Sequence, residues 1–284
     1  MASPNVHLEH IEDEIFNFGI EGGRASINFI RSLRDMLSSG SSKSTNVTVK
    51  WDGAPAIFTG IDPEDGKFFV GKKSVFNVEP QLYKTNADID ADTSGDLNAK
   101  MKLALKHLPE LGIKGIIQGD FLYSKNDVKT KKIKGKDYVT FHPNTIVYAV
   151  PRESDASDAI IKSKIGIVWH TTYKGNSFES LRASYGVDVS KFNSTRNVWS
   201  QDATLRDLTN LTMNRKDTDE VNEYLSTAGK IFNQISGTTL RTLEKDPALA
   251  QLIEQFNNTY VRRGEVIKNT KTHASRLISW IKQK

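Results

Sequence analysis

The stretch VTVKWDGAPAIF, residues 47–58, alternates apolar and polar side chains up to an Asp-Gly turn. Val47, Val49 and Trp51 belong on one side of a strand, and Thr48, Lys50 and Asp52 on the other. The strand thus ends by directing an ammonium and a carboxylate the same way, beside a glycine that lets another backbone or a ligand come close. Lys50 is either a solvated rim charge or a reactive amine, and the flanking sequence bears on the choice.

Strand signals continue on the C-terminal side. PAIFTGI, KFFVGKKSVF, KGIIQGDFLYS, DYVTF, NTIVYAVP and KIGIVWHTTY carry β-branched and aromatic residues with turn signals between them, as far as about residue 175. DPEDGK at 62–67 predicts a hairpin turn. LNAKMKLALKHLPEL at 97–111 predicts one amphipathic helix among the strands. Short connections favour antiparallel pairing.

Helical periodicity brackets this region. Ile11, Ile15 and Phe16, then Ile27, Phe29, Ile30, Leu33 and Leu37, mark two helices divided at Gly22-Gly23. SSGSSKST at 38–45 follows as a connector. Beyond about 200, apolar residues recur at three- and four-residue spacing, with a helix start at Asp246-Pro247. The fold class expected is α+β with mainly antiparallel sheets. Residues 1–185 form a core that includes the N-terminal helices, and 186–284 a mainly helical region.

A chain of 284 residues, 37% hydrophobic and 26% charged, can bury a globular core. It contains no cysteine, which excludes disulfides, thiolate metal sites and cysteine nucleophiles. No apolar run reaches membrane-spanning length and the N-terminus MASPNVHLEHIEDE has no signal-like region, so an intracellular, cytoplasmic protein without a membrane partner is expected. The net charge of +5 is concentrated in KNDVKTKKIKGK at 125–136 and in the tail from Arg262 to Lys284, blocks that permit nucleic-acid binding.

Lys50-Trp51-Asp52-Gly53 resembles the K-x-D-G motif of the covalent nucleotidyltransferases, the superfamily of ATP-dependent DNA and RNA ligases and mRNA capping enzymes. The resemblance covers roughly residues 45–175. It implies a ligase adenylation-like domain and attack of the lysine amine on the α-phosphate of ATP, or of GTP, with magnesium present. The nucleophile must be a neutral amine, although a free lysine titrates near ~10.4. Burial, neighbouring cations or a metal ion lower that value at nucleophilic lysines.

The resemblance also implies roles for other residues. Asp52 and Gly53 shape the turn, and Lys72 or Lys73 in KFFVGKKS neutralises phosphate charge. Asp120 in GIIQGDFLY stands where the family has glutamate and meets the ribose or a magnesium-bound water. Trp169 beside His170 supplies the ring that stacks on the purine, with Phe141 as its rival. The function expected is ligase-like transfer through a Lys50-AMP intermediate in nucleic-acid end joining or repair. The alternative is a non-catalytic nucleic-acid-binding or assembly protein on the same scaffold.

Two later family motifs, a Glu-Gly strand and a Lys-x-Lys strand, are missing. RGEVIKNTK at 263–271 has Gly264 and Glu265 in the wrong order and lies in a helical pattern. DIDADTSGD at 88–96 fails the calcium-loop register and predicts an acidic surface loop. The six histidines show no metal-ligand spacing beyond His7 and His10, and there is no P-loop, dinucleotide fingerprint or nucleophile elbow.

Overall fold

The Thr48–Arg206 unit is built on a six-stranded sheet that carries Asp120, while Lys50 ends a strand of a separate two-stranded ribbon. In chain order the strands are β1 (Thr48–Lys50), β2 (Ala56–Ile61), β3 (Phe68–Gly71), β4 (Ile116–Ser124), β5 (Lys129–Ile133), β6 (Lys136–Phe141), β7 (Tyr148–Pro151), β8 (Ile165–Lys174), β9 (Arg182–Tyr185), β10 (Val198–Asp202) and β11 (Thr204–Asp207). The helices are α1 (Glu14–Ser39), α2 (Asn86–Asp92), α3 (Gly95–His107), α4 (Asp155–Lys162), α5 (Arg215–Phe232), α6 (Gly237–Lys245), α7 (Pro247–Val261) and α8 (Thr270–Ile281). The structure, a computed structural model, describes residues 11–39, 47–144, 146–208, 211–261, 263 and 265–283. His7, His10, most of the 38–45 connector, Arg262, Gly264 and Lys284 lie outside the described residues.

The large sheet runs β10-β8-β4-β2-β3, with β9 also paired to β8; β5-β6-β7 form a second sheet, and β1-β11 a two-stranded ribbon. Every pairing within the two larger sheets is antiparallel except β10 with β8. The expected mixed fold with antiparallel sheets is therefore present. The 62–67 turn joins β2 to β3, where Asp62 accepts from the backbone of Gly66 and donates to Lys67 O.

One face of the large sheet packs Ile57, Val70, Ile117, Phe121, Ile167 and Trp169 against α2 and α3 through Ile89, Met101, Ala104 and Leu108. On the opposite face Leu122, Tyr123 and Val168 meet Val139, Phe141 and Tyr148 of the second sheet and Ile160 of α4. A third cluster gathers Phe58, Phe69, Ile116 and Tyr173. Because β4 alternates, Ile117 faces the helices while Gln118 and Asp120 face the other way.

Two helices escape the apolar pattern. The acidic stretch expected to be a loop begins with α2, whose capping box pairs Thr85 with Asp88. Helix α4 is capped by Ser154, whose side chain accepts from the Ser157 amide. Strands β10 and β11 likewise extend the β region past 185.

The chain divides into two compact units, Thr48–Arg206 and the described residues of 8–47 with 207–284. The N-terminal helix thus groups with the C-terminal helices, not with the strands as expected. Within that unit α1 packs on α5, α6 and α7. The helix break in α1 falls at Phe18-Gly19, where Gly19 has φ +53°, and not at Gly22-Gly23. Those two glycines are helical and buried. A Cβ on Gly23 would stand 2.6 Å from the Phe232 ring, so close packing explains the pair. Phe29 is 57% exposed, since two residues along a helix is about 200° of rotation and takes it off the stripe of Ile27 and Ile30. No helix among the described residues is long and apolar enough to cross a membrane.

Candidate functional site

Strand β1 ends at Lys50, and its Nζ lies 2.6 Å from Asp120 Oδ2 on β4. The Asp120 side chain is 7% exposed and that of Lys50 is 39% exposed, so a buried carboxylate meets an amine reachable from solvent. His170 completes the group, with Nε2 3.5 Å from Asp120 Oδ1. At that length the contact is not a hydrogen bond, and Nε2 has no hydrogen-bond partner among the described residues. Nδ1 of the ring bonds Thr171 Oγ1 at 2.8 Å.

A register shift places His170 there. Gln118 pairs with Thr171 and Gly119 with Trp169, so His170 is the extra residue of a β-bulge. Bulges re-aim side chains, and this one turns a histidine toward the carboxylate. Burial pushes the Asp120 carboxyl upward, but His170 and the Lys50 ammonium outweigh it and hold the group below the usual carboxylate range.

This depression has a measurable consequence. A carboxylate with a lowered folded pKa contributes stability that is complete above its unfolded value, near ~3.9, and is lost as pH falls through the folded value. Asp120→Asn should therefore lower the melting temperature at pH 7. The gap to the parent chain should narrow as the pH is taken below ~3.9. A gap that stays constant to pH 2 would show that the charge of Asp120 contributes nothing.

The segment after Lys50 makes no turn at Asp52-Gly53, the bend falling at Ala54-Pro55, and it is held by several hydrogen bonds. The Trp51 amide donates to Ala203 O at 2.7 Å. The Asp52 amide donates to Tyr148 Oη at 2.7 Å, and that hydroxyl lies 3.2 Å from Asp52 O. Asn144 Nδ2 donates to Asp52 Oδ2 at 3.0 Å. A Cβ on Gly53 would stand 2.7 Å from Phe121 O and 2.9 Å from Asp120 Cβ, so only glycine lets this segment lie against β4. Trp51 packs among Phe141, Tyr148 and Trp199, with ring centroids 6.4, 4.6 and 5.9 Å away. Lys50, Asp52, Gly53 and Asp120 are therefore gathered as the sequence suggests.

The remaining candidates are not. Lys72 is committed elsewhere, with Nζ 2.8 Å from Asp92 and 5.9 Å from the Tyr83 ring centroid. Lys73 is exposed at the start of a 3-10 turn. Trp169 is wholly buried, its Nε1 donating to Ser200 Oγ at 2.7 Å and its ring against Phe192, so neither ring face is open. Phe141 is 2% exposed and equally enclosed. The alternation of β8 explains this: with His170 bulged toward Asp120, Trp169 faces the helices. Glu265–Asn269 lies between α7 and α8, outside either helix.

Over residues 5–284 the sequence matches DUF6267, a family of unknown function. The chain belongs to that family. No curated protein and no solved structure matches it.

Three neighbours escaped the sequence reading. Tyr185 on β9 is 53% exposed, pairs with Thr171 across the strands, and has its hydroxyl 3.2 Å from Thr48 Oγ1. The next amide, Gly186, donates to His170 O at 2.6 Å. Lys100 of α3 has its ammonium 3.4 Å from Ala54 O and 5.6 Å from the Phe121 ring centroid. Each depends on a long-range pairing without a local signal. A groove of about 730 Å³ beside α4, lined by Asp155, Lys162, Arg196 and Trp199, does not include Lys50, Asp120 or His170. Among the described residues no three His, Asp or Glu side chains gather to hold a metal ion.

Proposed function

We propose that the Thr48–Arg206 unit is a ligase-like covalent nucleotidyltransferase, acting in the cytoplasm in nucleic-acid end joining or repair. The observation that carries this reading is the Lys50–Asp120 contact of 2.6 Å across seventy positions, beside a segment that glycine alone lets lie against β4. Lys50 releases one proton and its amine attacks the α-phosphorus of ATP, GTP being the alternative. The N–P bond forms as the P–O bond to pyrophosphate breaks. Pyrophosphate leaves with that electron pair, and a second amine proton is lost to give the phosphoramidate. The partly exposed Nζ lets both protons pass to water.

Asp120 holds the amine at the strand end, and His170 positions Asp120. Magnesium arrives with phosphates and needs only one or two protein carboxylates, so Asp120 is the group here that would hold it. When bound, the ion neutralises charge developing on the departing pyrophosphate. With Trp169 and Phe141 enclosed, Tyr185 is the ring left for the base.

Two measurements test this. Incubation with α-labelled ATP or GTP and magnesium should leave label on the denatured chain, and absence of label with both nucleotides defeats the reading. Tyr185→Ala should weaken nucleotide binding about tenfold, since an aromatic stack is worth roughly 0.5–1.5 kcal/mol beyond area. Unchanged affinity would remove Tyr185 from the site.

A second reading, a non-catalytic nucleic-acid-binding or assembly protein on the same scaffold, draws support from the missing Glu-Gly and Lys-x-Lys strands. Folded chain that never takes label favours it.

A further inference from the structure

The second sheet carries a charge pattern that the site at Lys50 does not use. Strands β5 and β6 form a hairpin whose turn is Lys134-Gly135, with φ +48° and +81°. Two positive φ values in a two-residue loop suit the right-handed twist of the ribbon and keep it narrow. Residues 125–136 include six lysines and one acid. That acid, Asp127, is occupied by the Ser124 amide and hydroxyl at 2.7 and 2.8 Å. Among the described residues no carboxylate pairs with any of the six lysines; Lys129 Nζ donates to Asn126 O at 2.8 Å.

The register sorts these lysines by face. Lys131 lies opposite Tyr138, Ile133 opposite Lys136, and Lys129 opposite Thr140. Residues directly opposite share a face, so Lys129, Lys131 and Lys136 stand on one side around Tyr138 and Ile133. Val139 lies on the other side and is buried against the large sheet. The lysine face therefore points away from the large sheet and is exposed toward the tip, while Thr140 at its inner end is buried. Pairing of β6 with β7 adds Ala149 and Pro151 to it and no acid. Lys134 extends the row to the tip.

At the inner end of the hairpin Phe141 pairs with Tyr148, and both lie on the buried face, opposite the lysines. From Phe141 to Lys136 the strand rises ~17 Å, about the length of five phosphates on one duplex strand. Four lysines without a carboxylate partner among the described residues, set around one aromatic ring, match a row of phosphates better than a folded protein surface, where charges of both signs are mixed.

We propose that the outward face of the β5–β6 hairpin is a polynucleotide-binding surface, on which Lys129, Lys131, Lys134 and Lys136 contact backbone phosphates. It deepens the reading of a nucleic-acid acceptor but does not depend on chemistry at Lys50.

The test is anisotropy of a labelled 24-nucleotide single strand and its duplex with the full chain, without nucleotide, over a salt series. Four contacts on a single strand give a slope of log K against log salt of about −2.8, a loss of roughly 50-fold between 50 and 200 mM. K129Q/K131Q/K134Q/K136Q should bring the slope near zero, with an unchanged melting curve because all four side chains are exposed. K268Q/K271Q/K282Q, in the helical unit, should leave it unaltered. The proposal is overturned if the hairpin variant binds like the parent or if the parent shows no salt-dependent binding. It is equally overturned if the hairpin lysines govern binding to vesicles containing phosphatidylserine and not to oligonucleotides. Intact oligonucleotide binding by a chain that takes no label sinks the nucleotidyl-transfer reading alone.

Discussion

Lys50→Arg is expected to abolish covalent labelling by ATP or GTP, by roughly a thousandfold or more, and to leave the fold intact. The two consequences separate because Lys50 has two roles. As a cation it faces Asp120 at 2.6 Å, and a guanidinium can take that place. As a nucleophile it must present a lone pair, which arginine does not do because it stays protonated in proteins. A thousandfold loss is about 4 kcal/mol of barrier, the scale of a lost nucleophile rather than of a lost contact. Lys50→Ala should lose label equally and also melt lower, because it leaves the 7% exposed Asp120 carboxylate without its 2.6 Å partner, at a cost of about 1–3 kcal/mol. Label persisting in Lys50→Arg, at any residue, would refute the assignment of Lys50.

The second large effect concerns Trp169. Its indole is wholly buried among Ile117, Ile167 and Met101 in the cluster under α3, with Gly119 flat against it. Truncation to alanine removes the largest fully buried side chain and should cost about 3–5 kcal/mol, as for other buried aromatics. In a unit of this size that is a fall of roughly 6–20 °C in melting temperature. Trp169→Phe should recover most of it, losing chiefly the bond to Ser200. A base-stacking ring would behave the other way: both variants would fold like the parent and lose nucleotide affinity. Near-parental stability of Trp169→Ala would therefore restore the stacking role.

Of these two residues, Lys50 shows where sequence reasoning succeeds and Trp169 where it fails. Lys50 lies at the end of a period-2 run that stops at Asp-Gly, and the strand does end there. The turn expected at Asp52-Gly53 is instead a bend at Ala54-Pro55, and glycine is required because the segment packs against β4. The hairpin at 62–67 and the helix start at Pro247 are legible because their signals sit within a few residues. Trp169 was misplaced because local alternation gives faces only until a bulge intervenes. The shift at His170 is set by pairing with β4, fifty positions away. Helix α2 carries no apolar stripe, with three acids among seven residues and Ile89 its one large apolar side chain, and its start is fixed by a capping box, a signal that the calcium-loop comparison obscures.

The sequence by itself determined that strands dominate 46–175, that helices bracket them, and that a strand ends at Lys50. These are properties of backbone conformation and short-range periodicity. Only the tertiary structure decided that Asp120 and His170 converge on that lysine, that Lys72 pairs with Asp92 instead, and that α1 joins the C-terminal helices. Such choices follow from strand order and from which buried faces match, and a residue's neighbours in sequence carry no record of either.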